Sequence, residues 1–165
     1  MAADGAGFDV VLGLHVASGL VAMASVAATG AYAGMVASAA RGRQVDARRA
    51  QAQRRFFRPG PNWPARMIFL VPAFGVLLLA MDGGFSSVRE AWLLASIGCW
   101  LVAAVVALLN LWPAEAHVQR LLNEMTADLR HPELTRAARQ VSWSAAIVDV
   151  VMVAAFVLMV VKPGA

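Results

Sequence analysis

Charge is scarce in this chain. Only 15% of its 165 residues are charged against 60% hydrophobic, a balance that excludes an ordinary soluble domain and points to lipid as the solvent. The single cysteine, Cys99, excludes an internal disulfide and any CxxC motif, and it reads as a small buried hydrophobe. A single lysine, Lys162, stands beside thirteen arginines, a composition typical of bacterial genes rich in GC. No GxGxxG, P-loop, HExxH or nucleophile elbow occurs, which removes the common soluble-enzyme chemistries. Internal repeats and low-complexity linkers are absent too, and the length leaves room for one domain. Catalysis without a bound cofactor is therefore not expected.

What is present is four apolar runs, about 8–39, 64–81, 91–112 and 141–161, each near or above the roughly 20 residues a transmembrane helix needs. Ala37-Ser38-Ala39 resembles a signal-peptide cleavage site. However, no Lys or Arg precedes the first run, and it is twice the usual apolar core of such a peptide, so it reads as a retained helix. The fold class expected is all-α, an integral membrane four-helix bundle.

The arginines orient it. The first loop carries Arg41, Arg43, Arg48, Arg49, Arg54, Arg55 and Arg58, and the third carries Arg120, Arg130, Arg136 and Arg139, whereas the second has only Arg89. The positive-inside rule then puts both long loops in the cytoplasm and both termini outside. The pI of 10.6 reflects this topology and gives no support to nucleic-acid binding. Trp63, Trp112 and Trp143 fall at the inner boundary and Trp92 at the outer one. The localisation expected is the bacterial inner membrane, and the arginines interleaved with Phe56 and Phe57, namely Arg54, Arg55 and Arg58, suit anionic lipid headgroups.

Local signals refine the picture. From Ala39 to Phe57 no proline intervenes, which predicts that the first helix continues into the cytoplasm as an arginine-rich stretch. Pro59-Gly60-Pro61 stops it, Pro64 suits the first turn of the second helix, and Ser87 with Glu90 is spaced as a capping box for the third. Pro113 kinks or restarts that helix, beyond which Val118, Leu121, Leu122, Met125 and Leu129 continue an apolar stripe. Gly30 and Gly34 form a small-xxx-small pair that lets helix backbones approach. Pro72 and Gly75 mark a kink that would free a backbone carbonyl.

Few polar groups lie inside the runs. His15, Ser18, Gly19, Ala22, Thr29 and Ala33 share a face of the first helix; Ser96, Cys99, Ala103, Ala107 and Asn110 share one in the third; Ser142, Ala145, Asp149 and Phe156 do so in the fourth. Asp149 sits mid-run, where a carboxylate costs several kcal/mol unless protonated, hydrated or partnered, so it marks a functional group or a helix contact. At about 1.5 Å per residue, His15 falls in the outer leaflet, level with Met81 and Met159, while Asp149 lies near the midplane and Asn110 toward the inner side. A histidine with two thioethers is a soft site for copper, and His with Met is a workable haem axial pair. His117 and His131 lie at the opposite end, so no two histidines of one chain can clamp a haem.

Leu14-His15-Val16, the second helix with Pro72 and Gly75, Trp92-Leu93-Leu94-Ala95-Ser96, Pro113 and the terminal Leu158-Met159-Val160-Val161-Lys162-Pro163-Gly164 resemble a bacterial family of predicted integral membrane proteins of unknown function. More distantly, the layout is similar to HemJ-type protoporphyrinogen oxidases and to the membrane domain of CopD-type copper proteins. That resemblance implies His15 as a haem-linked histidine. It also implies a further histidine in the third helix, where this chain has Asn110 as the one polar residue between Ala107 and Leu111.

These readings converge on a noncatalytic membrane subunit or small binding module that acts with lipids and with a membrane partner or a second copy of itself. A haem b or copper binder using His15, and a small proton-coupled transporter using Asp149, are the alternatives.

Overall fold

A computed structural model of the protein describes residues 5–42, 46–82, 90–124 and 131–163. Every element among them is helical: α1 (Gly5–Ala40), α2 (Ala47–Phe56), α3 (Trp63–Met81), α4 (Ala91–Glu124) and α5 (Pro132–Val161). All but α2 are long and apolar enough to cross a membrane.

The interruptions follow from particular residues. α1 stops at Ala40 instead of running on through the arginines, because the chain tightens into a turn in which Gly42 takes a φ of 89°, a region that favours glycine. α2 then starts afresh at Asp46, whose carboxylate accepts the backbone N–H of Arg48 at 2.8 Å. In α3, Pro72 removes the amide that would reach the Ile68 carbonyl, and a 3₁₀ turn at Met67–Phe69 precedes it. The freed carbonyl is taken by the indole N–H of Trp100, at 2.9 Å.

Pro113 has another outcome. α4 continues through it without a break by widening into a π turn at Ala107–Leu111, where the Trp112 N–H reaches back to Ala107. The widened turn directly precedes Pro113, and such turns are a known way to accommodate a missing N–H in membrane helices. Of the other expected features, Ser87, Met125 and Leu129 lie outside the described residues.

The chain divides into two compact units. The first comprises Met1–Ser25, Asn62–Ala104 and Asp149–Ala165. Within it, α1 and α3 run antiparallel, with Gly7 against Met81, His15 against Gly75, Gly19 against Val71, and the Ser25 hydroxyl donating to Asn62 at 3.1 Å. The 19 residues of α3, about 28 Å long, match the hydrocarbon thickness. Trp100 stacks edge-on against Phe69, and the Lys162 ammonium lies over the Trp92 ring at 5.4 Å.

The second unit comprises Val26–Pro61 and Val105–Val148. Its core is small and tight, with Ala33, Val36, Ala107, Leu111, Val118, Leu134, Ala138 and Val141 buried. Gly30 and Gly34 do face α5: a Cβ on Gly30 would stand 2.8 Å from that of Ala145, and one on Gly34 would stand 3.6 Å from the Ser142 hydroxyl. Phe57 is buried beneath Phe56, which stacks on Tyr32 at 4.2 Å. Gln119 and Gly60 exchange two hydrogen bonds, and the Arg54 guanidinium donates to the Leu122 carbonyl at 2.9 Å.

Candidate functional site

His15 is the best-defined polar group of the first unit. Its Nδ1 lies 2.8 Å from the Val71 carbonyl. A carbonyl oxygen can only accept, so Nδ1 carries the hydrogen and Nε2 of the neutral ring keeps its lone pair. Gly75 makes the contact close, since a Cβ there would meet the imidazole at 3.4 Å. Ser18 does not compete for the ring, because its hydroxyl donates to the His15 carbonyl at 2.8 Å. This is how a ligating histidine is usually held: one ring nitrogen tied to a carbonyl, the other presented.

The expected companions of His15 divide. His15 faces Val71 and Gly75, mid-way along α3. Met81 is not level with it, because its thioether methyl lies 3.6 Å from a Cβ placed on Gly7, eight residues or about 12 Å up α1. Met159 lies in the last turns of α5, in the same unit as His15. No group of three His, Cys, Asp or Glu side chains that could hold a metal exists among the described residues.

Asp149 is half-buried, and its Oδ1 is fully enclosed with no hydrogen-bond partner. It makes no bond to His15, whose Nδ1 is committed to Val71. Its expected face-mate Phe156 is exposed instead, and the buried stripe of α5 runs through Val141, Ala145, Val148, Met152 and Ala155.

Asn110 was expected to point inward with Ala103 and Ala107, and it does not. Ala103, Ala107 and Leu111 are buried while Asn110 is exposed beside Leu109. Four-residue steps overshoot a 3.6-residue turn, but the wider π turn absorbs the excess and keeps Leu111 on the inner face in place of Asn110. Of the arginines assigned to headgroups, Arg55 and Arg58 are exposed, whereas Arg54 is half-buried and tied to Leu122. That bond caps the last turn of α4.

Three buried polar side chains among the described residues escaped the sequence reading. Glu115 and Ser144 are 6% exposed and Gln53 is 2% exposed, the last with Oε1 lacking any partner. A signal existed for Glu115, since it continues the stripe of Leu111, Val118 and Leu122 at helical spacing. For Gln53 the stripe with Phe57 became visible only once α2 was known to be a separate helix.

The family model described as a predicted integral membrane protein (DUF2269) matches residues 9–163. The chain belongs to that family. The match takes in all four spans, so the protein is an integral membrane protein with helices α1, α3, α4 and α5 as its spanning candidates. No curated protein and no solved structure matches it, and the likeness to HemJ-type and CopD-type proteins gains no support from these comparisons.

Proposed function

We propose that this chain is a small, noncatalytic binding module of the bacterial inner membrane, working with a membrane partner or a second copy of itself, and that its ligand is haem b held by Nε2 of His15. The observation that carries this reading is the 2.8 Å bond from His15 Nδ1 to the Val71 carbonyl, with Gly75 clearing space for the ring. It orients the imidazole and leaves the other nitrogen to coordinate. Haem suits this donor set better than copper does. The macrocycle would bring four nitrogens of its own and would ask little more of the protein than His15, with Met159 of the same unit as the candidate second ligand. A copper ion would draw most of its ligands from the protein, and Met81 is too far from His15 to be one of them. Protein purified in mild detergent from haem-supplied cells should show a Soret band that His15→Ala abolishes while the helical content stays unchanged. A colourless wild type from such cells would remove the reading.

A second reading attaches to Asp149, whose enclosed and unpartnered Oδ1 favours proton exchange with an internal water. In proteoliposomes holding a pH-sensitive dye, the wild type would then pass protons and Asp149→Asn would not. Equal flux from both would end it.

A further inference from the structure

We propose that the outward face of α5 in the second unit binds an anionic glycerophospholipid, with Arg136 and Arg139 on the phosphate and Trp143 and Ile147 along the acyl chains. These residues, with Gln140 between them, fall at i, i+3, i+4, i+7 and i+11, so they form one stripe along one side of the helix. All of them are exposed; Trp143 is 67% exposed and Ile147 46%. The stripe is graded: two guanidiniums, an amide, an indole, then aliphatic side chains. That order reproduces the headgroup, the interface and the hydrocarbon of one leaflet.

The spacing suits a lipid. Arg139 and Trp143 are one turn apart, about 6 Å along the axis, so a phosphate gripped by the guanidiniums leaves its glycerol beside the indole and its chains beside Ile147. Guanidinium forks match phosphate oxygens in a way that lysine ammoniums do not. The one carboxylate on this side of the helix, Glu133, is a turn before Arg136 and away from the apolar end. Arg48 and Arg49 on α2 are equally exposed but lack the apolar continuation, since α2 presents Gln51 and Ala52 beyond them. They provide the natural comparison.

The test uses the full chain in detergent, with phosphatidylglycerol and phosphatidylcholine titrated separately and retained lipid counted by native mass spectrometry. At the strength of a typical basic residue near a membrane surface, the double variant Arg136→Gln/Arg139→Gln should weaken phosphatidylglycerol retention about twentyfold or more, and Trp143→Ala should weaken it as well. Arg48→Gln/Arg49→Gln should leave it unchanged, phosphatidylcholine should bind weakly to every form, and excess inorganic phosphate should not displace the lipid. Equal loss from both double variants would mean diffuse charge attraction and overturn the site. So would indifference to Trp143→Ala, equal binding of the two lipids, or displacement by phosphate. Helical content of each variant, measured alongside, separates lost binding from lost fold.

Discussion

Gly30→Ala tests the closest helix approach made by any described glycine. A Cβ at this position would stand 2.8 Å from the Ala145 Cβ and 3.7 Å from the Ser142 carbonyl oxygen, whereas carbon atoms pack best at roughly 3.5 to 4 Å. Both obstacles are fixed to the α5 backbone and no rotamer relieves them, so α1 and α5 must part by about 1 Å. Overpacking of this kind costs about 1–3 kcal/mol, offset by the roughly 1 kcal/mol that alanine gains over glycine in a helix. Gly98→Ala isolates the two effects, because nothing lies within 4 Å of a Cβ there and it should show only the gain. The stability difference between the two variants, from reversible unfolding in mixed micelles, should therefore be about 1–3 kcal/mol in favour of Gly98→Ala. Ala145→Gly in the Gly30→Ala background should recover most of it. If Gly30→Ala matches Gly98→Ala in stability, or Ala145→Gly fails to rescue, the close approach does not hold the second unit together.

Further predictions follow from the two proline sites and the arginine cap. Trp100→Phe strands the Ile68 carbonyl and should cost about 1–3 kcal/mol, but it should be nearly silent in a Pro72→Ala background, where the restored amide takes over; a double-mutant cycle in the same micelles checks this. Pro113→Ala removes the reason for the π turn and should rotate position 110 inward, so Asn110→Cys in a Cys99→Ala background should react with a maleimide only when Pro113 is present. Arg54→Gln should lower the melting temperature through the lost Leu122 cap, by about 1–2 kcal/mol of stability, while Arg55→Gln leaves it unchanged.

Much of this architecture was legible because lipid imposes simple rules. Apolar run length revealed the four spans, and glycine spacing marked the face of α1 that meets α5. Pro72 announced a freed carbonyl, although its acceptance of the Trp100 indole is a tertiary fact. Depth was harder to read. α1 has 36 helical residues, about 54 Å, and composition does not say which part lies level with a 19-residue neighbour; the pairing with α3 decides that, setting His15 against the middle of α3 and Met81 against Gly7. The third helix misled for another reason. A 3.6-residue projection places Asn110 inside, but a proline three residues later widens the turn and exchanges Asn110 for Leu111. The arginine-rich helix α2 was hidden by good helix formers that run straight through a glycine stop, and Gln53 was hidden with it. At the site, the residue was visible in the sequence and its orientation was not, since the bond that aims His15 ends on a backbone carbonyl 56 residues away.

Imidazole rescue tests the central claim, that Nε2 of His15 is a ligand atom. In His15→Gly the missing ring leaves a space beside Gly75 that free imidazole can enter, so the folded variant should lack a Soret band and regain one when imidazole is added, at a haem-to-protein ratio equal to that of the wild type. Haem retained by His15→Gly without imidazole, or a wild type that takes up none, would contradict the account.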